Sequence, residues 1–326
     1  MKVDCVVKGG RVVTPMGVIM GGVAISGGSI AAVGQDGLLP EGHRVIDAAG
    51  KFVIPGFIDM HSHLGAGGPI ARIETDFISE TEAAAHGGVT SFRSMVASME
   101  PYLPQIDEII GWGEKNSLVD FSFHAAIEVD EHFEELDALC DKGISGFKMF
   151  YTAYKGEEGR KLGQLGCDDG MVLRGCEFLA RRGHPALITF HCEEQDIMDL
   201  LQPRVQGEGR GDLPAWTDAR PDFIEPMSID SAAWIAQATG ARIHIAHVST
   251  AEGAERIANW KGRGVQIFGE TCPHYLVLTK HEEGLVPWGK INPPLRDAED
   301  NARLWAALRE GTIETMGTDN CPYTRA

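Results

Sequence analysis

The stretch GFIDMHSHLGAGG, residues 56–68, carries two histidines, His61 and His63, at the end of an apolar run. In an extended strand, residues two apart point to the same face, so Asp59, His61 and His63 share one side. Two neutral imidazoles on one face provide half of the ligands that a metal site needs. Two satisfied polar residues at a strand end would give the same pattern, so this stretch alone does not establish a metal site.

Other residues with metal-binding or acid–base chemistry lie where further predicted strands end. They are Lys148 in GFKMFY, His191 in ITFHCEE, His247 in HIAHVST and Asp319 in GTDN. If these strands are parallel, their carboxyl ends meet at one rim, and all of these side chains converge there with His61 and His63. This convergence favours the metal site. His244 lies three residues before His247, an odd offset, so we expect it to face the surrounding helices.

A lysine among histidine ligands needs its own explanation, because a protonated amine binds no metal ion. Burial and nearby metal charge favour the neutral amine. A neutral Lys148 could add carbon dioxide and become a carbamate, whose two oxygens can bridge two metal ions. The alternative is an ion pair between Lys148 and a rim carboxylate, and the residues alone leave both open.

The elements that position these residues change in character along the chain. Residues 1–54 contain short strand-like segments with glycine turns and predict a small β domain. From residue 57 onward, eight strand-like segments alternate with seven helix-like segments. Repeated βα units imply a parallel sheet, and eight of them predict an α/β fold with a (β/α)8 TIM-type barrel over residues 55–326. The last predicted helix begins after Asp297 and ends at Gly311.

The sequence ends at Ala326, directly after the eighth predicted strand. We therefore expect that the C-terminal part of the fold is missing. That part would include the helix that closes the barrel and a return of the chain to the N-terminal β domain.

Composition narrows the classes of function. The 326 residues carry a net charge of −18, from 29 basic and 47 acidic residues, which argues against a nucleic-acid or membrane partner. The seven cysteines contain no C-x-x-C pair, so we expect no disulfide framework and a cytoplasmic location. Residues 12–35 carry no charge, but Pro15 and several glycines favour hairpins over a membrane span.

Seven motifs together resemble the cyclic amidohydrolases, the family of dihydropyrimidinase, the hydantoinases, allantoinase and dihydroorotase. They are PGFIDMHSH, AAAHGGVTSF, GFKMF, HIAHVST, GETCPHYLVLT, NPPLR and GTDNCPYT, and the resemblance extends over nearly all of residues 1–326. It implies a metal-dependent barrel beside a small β-sandwich domain, of which residues 1–54 are one part. It also implies a small cyclic amide or imide substrate, and we expect a homodimer or homotetramer.

The resemblance further assigns roles to individual residues. Carbamylated Lys148 bridges two divalent ions, usually zinc; His61, His63 and Asp319 bind one ion, and His191 and His247 bind the other. A hydroxide shared by the ions attacks the ring carbonyl, with Asp319 as general base and then general acid. A tyrosine after the lysine stabilises the oxyanion, and Tyr154 is favoured over Tyr151. Cys272, Pro273 and Asn292 are the predicted substrate-binding residues.

Two departures from the family pattern affect the assignment of the substrate but not the predicted metal ligands. Gly65 occupies the position where dihydroorotase-like members carry an arginine that binds a substrate carboxylate, so a carboxylated ring is disfavoured. FYTAYK has one residue more than the hydantoinase pattern, which leaves Tyr151 as the alternative to Tyr154. Two alternatives of other classes are a non-catalytic dihydropyrimidinase-related assembly protein and a one-metal deaminase of the same superfamily.

Overall fold

The N-terminal β segments form a mixed sheet of five strands. The structure is a computed structural model that describes residues 2–156, 159 and 164–323. The strands are β1 (Val3–Thr14), β2 (Gly17–Ser26), β3 (Ser29–Gly34), β4 (Gly42–Asp47) and β5 (Phe52–Val53). Their order is β3-β2-β1-β4, with β5 also paired to β1; β2 is antiparallel to β1, whereas β4 and β5 are parallel to it.

The uncharged stretch, residues 12–35, forms the end of β1 together with β2 and β3, so the hairpin prediction is confirmed. Gly21 has a φ of +156°, and a Cβ there would lie 2.0 Å from the Gly34 carbonyl oxygen. Only glycine therefore allows β2 and β3 to approach at this point. Among the described residues, none of the helices has the length and apolar character that a membrane span requires.

The second sheet contains eight strands whose spatial order follows their order in the chain. They are β6 (Phe57–Ser62), β7 (Val89–Val96), β8 (Asp120–Ala126), β9 (Gly146–Tyr151), β10 (Leu187–Cys192), β11 (Ile243–Ile245), β12 (Ile267–Thr271) and β13 (Thr315–Met316). The first and last strands meet just beyond their ends, where Asp319 N donates to His61 O at 2.9 Å and His63 N donates to Asn320 O at 2.8 Å. The sheet therefore nearly closes, and the predicted (β/α)8 barrel is confirmed.

Helices connect these parallel strands. The described α-helices are α1 (Arg72–His86), α2 (Ile106–Asn116), α3 (Leu136–Asp141), α4 (Asp169–Arg182), α5 (Gln195–Gly207), α6 (Leu213–Asp218), α7 (Ile224–Thr239), α8 (Ala251–Gly262), α9 (Pro273–Val277) and α10 (Ala298–Glu310). Helix α10 begins with a capping box of Asp297 and Asp300 and ends at Gly311, as the sequence predicts. Helices α5 and α6, inside the long insertion after β10, were not predicted.

The chain divides by its internal contacts into two units, Met1–Phe57 and Ile58–Ala326. The sequence-based boundary after residue 54 stays a prediction. In the second unit, the apolar core includes fully buried side chains on strands and helices, among them Phe77, Phe147, Ile188, Phe190, Ile243 and Ile245.

His244 corrects one sequence-based expectation. Its ring nitrogens contact Thr189 Oγ1 at 3.2 Å and Thr315 Oγ1 at 3.0 Å. Thr315 lies on β13, which is not a neighbour of β11, so His244 points across the barrel interior instead of toward the helices. Counting alternation back from His247 failed because β11 ends at Ile245 and the backbone at His247 is left-handed, with φ at +37°.

Candidate metal centre

The first half of the candidate centre contains His61, His63 and Asp319. His61 lies on β6 and is fully buried, and His63 and Asp319 follow the ends of β6 and β13. Asp319 Oδ1 lies 3.2 Å from His61 Nε2 and 3.0 Å from His63 Nε2, and the two imidazole nitrogens are 3.1 Å apart. Ligand atoms of the three residues lie within 4.8 Å of one another, close enough to surround one ion.

Hydrogen bonds between β6 and the segment after β13 fix this half. The Asp59 carboxylate accepts from Thr318 N at 2.9 Å, from Thr318 Oγ1 at 2.6 Å and from His61 N at 3.1 Å. Asp319 itself has a left-handed backbone, with φ at +54°, which is unusual for a residue other than glycine. The contacts on both sides of it hold this conformation and aim the carboxylate at the histidines.

The second half contains His191, at the end of β10, and His247, just beyond β11. Both side chains are buried, and His191 Nδ1 lies 2.9 Å from His247 Nε2. The rings of His61 and His247 stack with their centroids 5.3 Å apart, so the two halves are adjacent. Burial lowers the pKa of His63, His191 and His247, which favours the neutral form that binds metal ions.

Each half has a buried glutamate that the sequence analysis missed. Glu270 on β12 lies 2.6 Å from His61 Nδ1, and Glu193 lies 2.9 Å from His191 Nε2. A carboxylate on the outer ring nitrogen receives that nitrogen's proton in a hydrogen bond, so the inner nitrogen keeps its lone pair for a metal ion. Glu193 could have been found from its i+2 spacing to His191, whereas no local spacing links Glu270 to His61.

The pKa values of the two glutamates are lowered, whereas burial alone raises the pKa of a carboxyl. Burial alone would raise the pKa of Glu193, but Arg220 and His191 lower it to about 2. Burial likewise opposes ionisation of Glu270 and Asp319, yet their histidine neighbours lower the pKa of both carboxyls. The centre therefore offers ionised carboxylates beside neutral imidazoles, which is the donor chemistry of a divalent transition-metal site.

Lys148 lies on β9, fully buried, at the wall of the same cavity. Its Nζ has no hydrogen-bond partner among the described residues, and burial lowers its pKa against the opposing effect of Asp319 and Glu270. A buried amine without a partner is costly, and its neutral form is a nucleophile. The alternative pairing of Lys148 with a rim carboxylate is not present in the structure, since no ion pair joins it to a described residue.

The cavity has a volume of about 1240 Å³ and is lined by His63, Lys148, Tyr154, His191, His247, Asn292 and Asp319, among others. The Tyr154 ring lies 5.1 Å from the His191 ring, and Asn292 Nδ2 donates to the Tyr154 hydroxyl at 3.3 Å. Tyr151 is not among the residues that line the cavity; it is buried in the apolar core, and its hydroxyl donates to Asp169 Oδ1 at 2.5 Å.

Two predicted substrate-binding residues do not line this cavity. The Cys272 side chain is fully buried in the hydrophobic core, and Pro273 begins helix α9 outside the cavity wall. His274, the next residue, does line the cavity. The substrate-binding roles of Cys272 and Pro273 stay a prediction.

Comparisons with known proteins agree with this geometry. A profile described as "Amidohydrolase family" matches residues 44–91. The allantoinase of Enterococcus faecalis is 33% identical over 99% of this chain and 71% of its own length. The chain belongs to the cyclic amidohydrolases. This cyclic amidase is also 32% identical to the D-hydantoinase of Geobacillus stearothermophilus, over 97% of the chain and 67% of that protein.

Solved structures place the amidohydrolase among the same relatives. A D-hydantoinase structure matches with a TM-score of 0.84 and 30% identity, over 98% of this chain and 69% of the other. The dihydropyrimidinase of Brevibacillus agri matches with a TM-score of 0.81 and 30% identity, over 100% and 70% of the two chains. The family uses divalent metal ions, and the donor set here fits them. Glu270 and Glu193 orient His61 and His191, and the buried Lys148 amine has no hydrogen-bond partner in the part of the chain that the structure describes.

Proposed function

We propose that the protein opens the ring of a cyclic amide or imide, such as a dihydropyrimidine, a hydantoin or a related compound. Water adds to the ring carbonyl and the ring C–N bond breaks, giving a carboxylate and a free N–H. The observation that carries the proposal is the convergence of His63, His191, His247, Asp319 and Lys148 at one cavity, with His61 against His63 and Asp319, in a member of this family. The Lys148 amine has no hydrogen-bond partner among the described residues.

Two divalent ions, with zinc as the proposed metal, fit the two halves of the centre. His61, His63 and Asp319 would hold one ion and His191 and His247 the other, with carbamylated Lys148 shared between them. When bound, such ions supply Lewis acidity and a nucleophile at neutral pH, because they lower the pKa of water. Burial lowers the pKa of the Lys148 amine, which supports the carbamate, since only a neutral amine adds carbon dioxide.

The side chains of this protein would then handle protons and the carbonyl oxygen. Asp319, ionised and held between β6 and β13, accepts the proton of the attacking water and returns it to the leaving ring nitrogen. The Tyr154 hydroxyl faces the same cavity and donates to the carbonyl oxygen as negative charge develops on it. Asn292 orients that hydroxyl through its hydrogen bond.

Gly65 shapes the choice of ring. It lines the cavity, and its φ of +77° is left-handed, a conformation that favours glycine. A Cβ at this position would also lie 2.7 Å from the Ile73 side chain, so there is no space for a larger residue. No cation from this position can reach a substrate carboxylate, so we propose a ring without one.

Parallel assays on hydantoin, dihydrouracil and allantoin test the proposed reaction. Metal-loaded protein should add one water to at least one ring without release of ammonia. Release of ammonia would instead indicate the deaminase alternative. Failure to bind metal, together with absence of turnover on all three rings, would favour the non-catalytic assembly protein.

The remaining proposals concern organisation. We propose that residues 1–54 belong to a small β-sandwich domain and residues 55–326 to the barrel, and that the protein is a cytoplasmic homodimer or homotetramer. Light scattering of the purified protein tests the assembly, and a monomer at micromolar concentration would contradict it.

A further inference from the structure

Four charged residues lie buried behind the second half of the centre. They are Glu193, Arg220, Glu225 and Arg296, and each exposes at most 2% of its surface. We refer to these four as the arginine network. Charged residues are rarely buried unless they are paired. Arg220 pairs with Glu193 at 3.0 Å, Arg296 pairs with Asp222 at 2.8 Å, and Glu225 and Arg296 are linked through Ser249. The family donor set does not use any of the four directly.

The first pair supports His191. Arg220 Nη1 donates to Glu193 Oε2 at 3.0 Å, and that same oxygen lies 2.9 Å from His191 Nε2. The guanidinium therefore fixes the position of the carboxylate, and the carboxylate fixes the tautomer and plane of the imidazole. Arg220 comes from the turn between α6 and α7, so the long insertion after β10 is what delivers it.

The second pair supports the segment that follows His247. Glu225 accepts from the backbone amides and the hydroxyls of both Ser249 and Thr250, at 2.6–3.2 Å. Arg296 Nε donates to Ser249 Oγ at 3.1 Å. These bonds hold the chain just after the left-handed His247, whose backbone would relax without them.

One contact joins the two pairs. Arg296 Nη1 donates to the Arg220 carbonyl oxygen at 2.6 Å. The supports of His191 and of His247 are therefore parts of one buried structure, although the two histidines come from different strands. Glu270, which supports His61 in the first half, has no arginine among its hydrogen-bond partners in the described part of the chain; those partners are His61 and the His247 amide.

We propose that the arginine network positions His191 and His247 as a pair and thereby sets how tightly the second half of the centre holds its metal ion. This inference rests on the proposed two-ion centre. Arg220 and Glu193 are positioning residues: they touch no substrate and act through His191. The ion between His61, His63 and Asp319 does not depend on them.

The test compares zinc titrations of metal-free wild-type protein and the double variant Glu193→Gln/Arg220→Gln by calorimetry. The double variant removes both members of the Glu193–Arg220 ion pair together, so neither is left facing the other's empty position. Wild type should bind two zinc ions. The variant should bind the first ion unchanged and the second ~10–100-fold more weakly. Arg174→Gln, at an exposed ion pair with Asp130 and Glu134, is the matched control and should bind as wild type does.

A second variant covers the case in which the double variant does not fold. Arg220→Lys keeps the buried charge but loses the planar guanidinium, so the second ion should again weaken selectively, by a smaller factor. Equal weakening of both ions, or two unchanged ions in either folded variant, would overturn the inference while leaving the proposed function intact. A wild-type protein that binds a single ion would overturn the two-ion centre itself.

Discussion

The two halves of the metal centre are held by different means. His61, His63 and Asp319 depend on hydrogen bonds along the seam between β6 and the segment after β13, where Asp59 is the main acceptor. His191 and His247 depend on the arginine network, which lies outside the strands. The ligands of the first half are thus fixed by barrel closure, whereas those of the second half are fixed by a loop insertion and its buried charges.

The two glutamates that orient the histidines also differ in their charged neighbours. Glu193 shares its oxygen with Arg220, so part of its negative charge is already neutralised. Glu270 has no such cation on it in the described chain and directs its charge at His61. A more basic imidazole binds a metal ion more tightly, so we expect the first half to be the tighter of the two.

The largest effect is expected at Lys148, which faces both halves. Lys148→Ala should abolish activity and reduce bound metal well below two ions per chain, because the proposed carbamate shared by the two ions cannot form. Elemental analysis and a ring-opening assay on the same sample measure this. Added short carboxylic acids should restore part of both. Lys142→Ala, at an exposed ion pair with Asp107, is the control, and normal metal and rate in Lys148→Ala would refute the carbamate.

A substitution at Tyr154 tests the proposed oxyanion donor, which lines the cavity beside His191, without changing a proposed metal ligand. Tyr154→Phe should reduce kcat by ~10²–10³ with unchanged metal content, because one oxyanion donor is lost. Tyr151→Phe is the matched control and should leave kcat near wild type, since its hydroxyl bonds to Asp169. If the two variants exchange these outcomes, the oxyanion donor is Tyr151 and the loop register is wrong by the inserted residue.

Glu128 is a buried carboxyl to which no arginine is hydrogen-bonded in the described part of the chain. Burial raises its pKa from 4.5 to about 7, although the Leu165 amide donates to it at 3.0 Å. Below pH 4.5 both folded and unfolded chains hold the proton, so this contribution to stability is fully present. As the pH rises through about 7 the folded state must ionise a buried group, and the contribution is lost.

Glu128→Gln should remove this pH dependence while keeping an acceptor for Leu165. Between about pH 5 and pH 8, metal-free wild type should lose ~2–3 kcal/mol of unfolding free energy relative to the variant. Urea unfolding at the two pH values measures the difference. A parallel decline of both proteins would show that Glu128 is ionised in the folded state throughout.

Glu270 gives the counterpart of the arginine network test. Glu270→Gln should weaken the first ion ~10–100-fold and affect the second much less, because His61 loses its charged partner whereas the His247 amide keeps an amide oxygen as acceptor. The same calorimetric titration applies, so the two variants should have opposite patterns. Weaker binding of the second ion alone would contradict the assignment of Glu270 to the first half of the centre.

The sequence predicted the parts of this molecule that depend on local pattern. The strand ends carrying His61, Lys148, His191 and Asp319 could be found because parallel strands bring their carboxyl ends to one rim. The ends of α10 could be found because Asp297 and Gly311 are strong capping residues.

The parts that were missed depend on distant contacts or local irregularity. Glu270 and His61 are 209 residues apart, and Arg220 and Arg296 are 76 apart, so no spacing rule joins them. Helix α5 contains Pro203, which reads as a helix breaker, although Asp212 before Pro214 does mark the start of α6. His244 was misplaced because the alternation rule fails where a strand ends early.

Joint measurement of metal binding and turnover tests the central claim most directly. Zinc is added stepwise to metal-free wild-type protein, and both bound zinc and ring opening of the best substrate are followed on the same sample. Two separately held halves predict that the first ion binds with little activity and that turnover rises as the second ion enters the site of His191 and His247. Full activity at one ion per chain would contradict the two-ion account.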